Sequence, residues 1–140
     1  MPRACHLELV TALLLGLGAS SIADAQSACA GAQKPRQVAE LLFGRKIGDR
    51  IGVSARDFAR FVDREIASRF PDGLTVLDAS GEWNDTARKV VVHEPSKLVE
   101  IVLPGNADDL DRLGAIAEAY KRQFHQQSVG IVSREACVSF

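Results

Sequence analysis

The stretch Arg69–Trp83, "RFPDGLTVLDASGEW", decides the fold, because it ends one kind of secondary structure and begins another within a few residues. Phe70-Pro71 stops a helix: proline lacks an amide donor and disfavours helical geometry in the residue before it. Asp72-Gly73 then turns the chain, since glycine adopts backbone angles that other residues resist. Leu74–Trp83 then runs out as a strand.

Upstream, Val38–Ile47 ("VAELLFGRKI") has the content and length of a first strand, and Gly48 to Gly52 make a loop. Ser54 starts a helix with Asp57 three residues on, a carboxylate version of the capping box. Phe58, Phe61, Val62 and Ile66 recur at helical spacing, so this helix lies on an apolar surface. Downstream, a turn at Asn84 to Ala87 leads into "RKVVVHEPSKLVEIVLPG", Arg88–Gly105. It reads as two collinear segments, Val90–His93 and Leu98–Leu103, kinked at Glu94-Pro95-Ser96, because proline in a sheet belongs at edges and bulges. Asn106 caps a second helix whose inner face carries Leu110, Leu113, Ile116, Ala117, Tyr120 and Phe124. Asp108 and Asp109 at its start and Lys121, Arg122 and His125 at its end suit the helix dipole. Ser128–Phe140 is the last strand.

The order strand, helix, strand, strand, helix, strand predicts an α+β ferredoxin-like split βαβ sandwich, an antiparallel sheet with two helices on one face. Val76 and Leu77, like Val99 and Val102, place apolar side chains on both faces of their strands. The uncovered face therefore predicts a partner, and a homodimer meeting sheet to sheet is expected.

The N-terminus runs from Arg3 through an apolar segment, Leu9 to Leu17, to Ala23-Asp24-Ala25. That is the order of a signal peptide, residues 1–25, cut after Ala25, and the apolar run is too short for a transmembrane span. A secreted or periplasmic bacterial product is expected, with residues 26–37 a flexible lead-in and 38–140 a single domain. Cys5 leaves with the signal. Cys29 and Cys137 then suit a disulfide, and a sheet with its first and last strands adjacent brings them within reach. The rival use of Cys29 as a lipid anchor conflicts with Gln26, where an aliphatic residue is usual.

With 17 Lys+Arg against 18 Asp+Glu, the chain has no excess of positive charge to bind nucleic acid or an anionic membrane surface. It has no P-loop, dinucleotide fingerprint, G-x-S-x-G elbow or CxxC pair, so no cofactor is expected. His93-Glu94 lacks the further ligands of a zinc site, and no metal is expected. Asn84-Asp85-Thr86 matches a glycosylation sequon but reads as a turn. A polar cluster of Arg45, Asp72, Asp78, Glu82, Glu94, Ser96, Lys97, Lys121, Gln126 and Gln127 falls at strand ends and loop edges. From it and its neighbour Tyr120 come the candidate binding residues Arg45, Asp72, Glu94, Lys97, Tyr120 and Gln127. The expected function is a non-enzymatic dimeric binding module. The alternative is a small cofactorless enzyme of the dimeric α/β-barrel type, with acid–base chemistry around Arg45, His93 and Glu94.

The ordered motifs "LLFGR", "RFPDGLTVLDASGEW", "EPSKLVEIV", "YKRQFHQQSV" and "CVSF" resemble the bacterial domain-of-unknown-function family 3574, small secreted or lipid-anchored proteins. The resemblance runs from about Glu40 to Phe140. It departs at Phe58, where that family often has tryptophan, and at Ala67-Ser68, where it often has threonine-proline. It implies a domain and no activity.

Overall fold

The computed structural model describes residues 29–140. The expected signal peptide, its cleavage point after Ala25 and the first part of the lead-in lie outside the described residues. The fold is mixed α+β. It runs β1 (Lys34–Gly44), β2 (Lys46–Ile47), β3 (Arg50–Ile51), α1 (Ala55–Phe61), β4 (Thr75–Asp85), β5 (Val90–Val102), α2 (Asp109–Phe124) and β6 (Gly130–Val138). Four strands form one sheet in the order β4-β5-β1-β6 with every pairing antiparallel, and β2 and β3 form a separate small hairpin.

The first strand starts four residues earlier than the apolar pattern indicates, because Lys34–Gln37 pair with β6 from Val138 to Glu135. The last third of the expected flexible lead-in, Lys34–Gln37, is therefore sheet. The strand also ends earlier, at Gly44. Lys46 and Ile47 turn away to pair with Ile51 and Arg50 around Gly48, whose φ of +63° favours glycine. Cys29 and Cys137 form a disulfide with Cα atoms 5.5 Å apart. Cys137 stands opposite Pro35, so the bond fastens the entry of β1 to the end of β6.

The expected kink at Glu94-Pro95-Ser96 is absent. β5 keeps register through it, with Gly81 opposite Glu94, Ser80 opposite Pro95 and Ala79 opposite Ser96. The carbonyl of Pro95 accepts from the Arg45 amide at 3.1 Å, so the missing donor of Pro95 also faces the β1 side. The carbonyl it would have served, that of Arg45, already accepts from Gly52 and Val53 at 2.9 and 3.1 Å. Proline costs this strand no ladder bond, which is why no bulge is needed.

Ser54 caps α1 as expected: its hydroxyl accepts from the Asp57 amide at 3.1 Å and donates to the Asp57 carboxylate at 2.6 Å. The helix does not keep its period. Val62–Ile66 form a π turn, closed by Ala67 donating to the Val62 carbonyl at 2.8 Å. The widened turn lets Phe61 and Ile66, five residues apart, both enter the core while Val62 packs only at its edge. At α2 the N-cap position is Asp108, not Asn106, and the side chain that ties down the helix start is that of Asp109 in the first turn. Its carboxylate is 4% exposed and accepts from the Gly105 and Asn106 amides at 2.8 and 2.9 Å. Leu110, in the first turn, is 67% exposed, against its expected place on the inner face.

Both helices cover the sheet face that carries Ala39, Leu41, Phe43, Val99 and Ile101. Phe43 lies 5.4 Å from Phe58, 6.0 Å from Phe61 and 4.7 Å from Tyr120, all edge to face, the arrangement that aromatic quadrupoles favour. Among the described residues no helix is long and apolar enough to cross a membrane.

Candidate functional site

Strand alternation gives each even-numbered residue of β5 to the open face and each odd one to the helix-covered face. On the open face, where β1 ends, lies a cavity of about 630 Å³. Its floor is Gly44, Gly81 and Ser96, its apolar wall includes Leu42, Val92 and Trp83, and the β2–β3 hairpin and the loop from His125 to Ser128 stand at its sides.

Glu94 lies across this floor. Its carboxylate accepts from the Lys46 amide at 3.1 Å and from the Trp83 indole N–H at 3.1 Å. Two glycines make the space. A Cβ added at Gly44 would stand 2.6 Å from a Glu94 carboxylate oxygen, and one at Gly81 would stand 2.9 Å from the Ser96 hydroxyl. Gln126 donates to the Lys46 carbonyl at 2.7 Å, joining the loop after α2 to the hairpin. At the mouth, Arg88 donates to Asp85 at 2.7 Å and to Asp49 at 3.0 Å, so the turn between β4 and β5 is tied to the tip of the small hairpin. Asp85 is held below the usual carboxylate range, first by the Arg88 amide and then by the Arg88 side chain.

Of the six candidates, the structure brings Glu94 and Gln127 to this cavity. The other four are elsewhere. Arg45 donates to the Val53 carbonyl at 2.9 Å, bracing the segment that leads into α1. Asp72 is exposed in the turn after Pro71. Lys97 is on the helix-covered face, where it pairs with Asp78 at 2.6 Å and lies over the Phe58 ring; its hydrogen bond holds the Asp78 carboxyl below its ordinary value. Tyr120 is buried, and its hydroxyl donates to the Gly44 carbonyl at 2.8 Å. Burial pushes that phenol far above its ordinary value, with Arg45 opposing and Glu94 adding to the shift.

The acid–base set is not assembled either. His93 and Glu94 are neighbours in sequence and therefore lie on opposite faces, with His93 exposed and 2.9 Å from Glu82. Sequence reasoning missed Trp83, Asp85 and Arg88. The signal for them was the strand register: Trp83 is two residues from Gly81, which stands opposite Glu94, so both point to the face that Glu94 uses.

Several solved structures are similar to this chain, among them two of phage SAM lyase. One is a phage SAM lyase in its apo state, at a TM-score of 0.58 and 20% sequence identity, covering 75% of this chain and 86% of that one. The other is a phage SAM lyase in complex with S-methyl-5'-thioadenosine, at 0.58 and 18%, covering 82% of this chain and 95% of that one. At that identity the likeness is one of fold. No curated protein sequence matches the chain. Residues 38–140 match a family described as "Protein of unknown function (DUF3574)", and the chain belongs to that family.

Proposed function

We propose that this protein is a secreted small-molecule-binding module, a ferredoxin-like sandwich closed by the Cys29–Cys137 disulfide, whose ligand enters the open-face cavity over Glu94. The strand order supports the ferredoxin-like reading, and the disulfide fits an oxidising compartment reached through a signal peptide cut after Ala25. The observation that carries the binding reading is the Glu94 carboxylate, laid against Gly44 and held by two donors in a cavity of about 630 Å³, within the size range of small-molecule sites. In this reading two copies meet over Leu42, Leu77 and Val132, exposed apolar side chains of the open face.

A fragment screen read by the indole N–H resonance of Trp83, the one tryptophan in the chain, tests the binding reading. Fragments that shift this resonance and are lost on Gly44→Leu, which fills the floor, support it. A broad screen in which no fragment moves the resonance refutes it. Light scattering tests the pairing, for which a monomeric mass at high concentration is the adverse result.

The likeness to phage SAM lyase favours a second reading, a small enzyme acting on a sulfonium nucleoside. In it Glu94 would set the charge around the reacting centre, since neither Arg45 nor His93 lines the cavity. Incubation with S-adenosylmethionine and detection of S-methyl-5'-thioadenosine by mass spectrometry tests it. Product above the uncatalysed background that disappears with Glu94→Gln supports the reading, and background alone rejects it.

A further inference from the structure

Among the described residues, no cation forms an ion pair with Glu94. Both of its donors are neutral, a backbone amide and an indole N–H. Lys46 lends its backbone to Glu94, while the one guanidinium at the cavity, that of Arg88, is already shared by Asp49 and Asp85. A half-buried carboxylate without a counter-charge is costly, and a ligand that supplies the charge recovers that cost.

Trp83 adds a second preference. Its N–H is directed at Glu94, so the edge of the indole anchors the carboxylate, and the residue stays 40% exposed beside it. An aromatic face attracts cations and stacks on flat rings. We infer that the cavity selects a small organic cation carrying a flat ring, with its positive centre at Glu94 and its ring against Trp83. Anions are disfavoured, because the carboxylates of Asp85 and Glu94 line the cavity with one lysine, Lys46, and one arginine that is already paired.

This inference rests on the binding reading above, and one titration separates the two. Trp83 fluorescence of the exported, disulfide-intact protein is followed with benzyltrimethylammonium, benzyl alcohol and benzenesulfonate, which share a ring and differ in charge. The expected result is an affinity order of cation over neutral over anion, with the cation ahead of the neutral probe by about tenfold. In Glu94→Gln the cation's lead should shrink to about twofold or less, while the neutral probe keeps its affinity. Equal binding of the three probes, or a cation preference that survives Glu94→Gln, overturns the inference and leaves the cavity as a site. Failure of all three probes to move Trp83 fluorescence, alongside a blank fragment screen, removes the site and the inference together. A melting curve of the variant checks that it remains folded, and the order of the probes on the unaltered protein stands without it.

Discussion

The two faces of the central sheet are built from the same strands and opposite materials. On the covered face, Leu41, Phe43, Val99 and Ile101 meet Phe58, Phe61, Tyr120 and Phe124 in a closed aromatic cluster. On the open face, at the end of the same strands, side chains are withheld at Gly44, where the Glu94 carboxylate fills the gap, and at Gly81, where the Ser96 hydroxyl does. Gly44 belongs to both: its carbonyl receives the Tyr120 hydroxyl from the core, and its missing side chain leaves room for Glu94 on the other side. Stability and the proposed recognition are thus separable by alternation along a strand, and substitutions one residue apart should differ in kind.

The sharpest break of this comparison is Phe43→Ala on the covered face. Phe43 is fully buried against three aromatic rings, so its truncation should cost about 3–5 kcal/mol, a large share of a typical domain's 5–15 kcal/mol. Urea denaturation measures it, and a change under about 1 kcal/mol would mean the aromatic cluster is not the centre of the fold. The disulfide comes next. Its removal by Cys137→Ser should cost about 2–4 kcal/mol by restoring freedom to the unfolded chain across a separation of 108 residues. The Trp83 spectrum should stay unchanged, because the bond sits at the far end of β1 from Glu94.

Tyr120 tests the seam between the faces. It is the only tyrosine, so absorbance at tyrosinate wavelengths reports it alone. Burial raises its folded pKa above the ordinary value near 10. For an acid so shifted, the stabilising contribution is complete below pH of about 10 and is lost as pH rises above it toward the folded value. Tyrosinate should therefore appear only as the protein unfolds in alkali, and Tyr120→Phe should flatten the fall of stability above pH of about 10. That variant should itself cost about 1–3 kcal/mol for a carbonyl left without its donor, unless water reaches Gly44. A free titration near 10 in the folded protein would show that the hydroxyl is not sealed beneath the site.

These contrasts also explain what the letters could and could not convey. The Pro71 and Gly73 corner, the Ser54 cap and the alternation of helices and strands are written locally, in residues whose backbone preferences act over one turn, and the bond between Cys29 and Cys137 followed from the strand order they imply. Pro95 misled because its effect depends on Arg45, fifty positions away in sequence, whose carbonyl is already engaged. The π turn misled because a five-residue step from Phe61 to Ile66 appears once Val62 is read as peripheral, which packing alone decides. The cavity depends on register. Glu94 was noticed for its charge, but Gly44, Gly81 and Trp83 become partners only when Gly81 is known to face Glu94.

The smallest effects on stability belong to the open face, and Gly44→Ala shows why they are informative. The new methyl group would stand 2.6 Å from a Glu94 oxygen, too close to coexist, yet that oxygen is the end of a flexible side chain and can swing away. Gly44 has no positive φ to protect, so the backbone accepts alanine. The fold should therefore lose less than about 1 kcal/mol, while the Glu94–Trp83 hydrogen bond breaks and the indole resonance moves. Gly81→Ala, which presses on the Ser96 hydroxyl at 2.9 Å, should spare that bond. If Gly44→Ala instead unfolds the protein as Phe43→Ala does, Gly44 serves the core alone. If it leaves stability and the Trp83 resonance both untouched, Glu94 was never held on this floor. Only a stable protein with a displaced carboxylate keeps the two faces distinct.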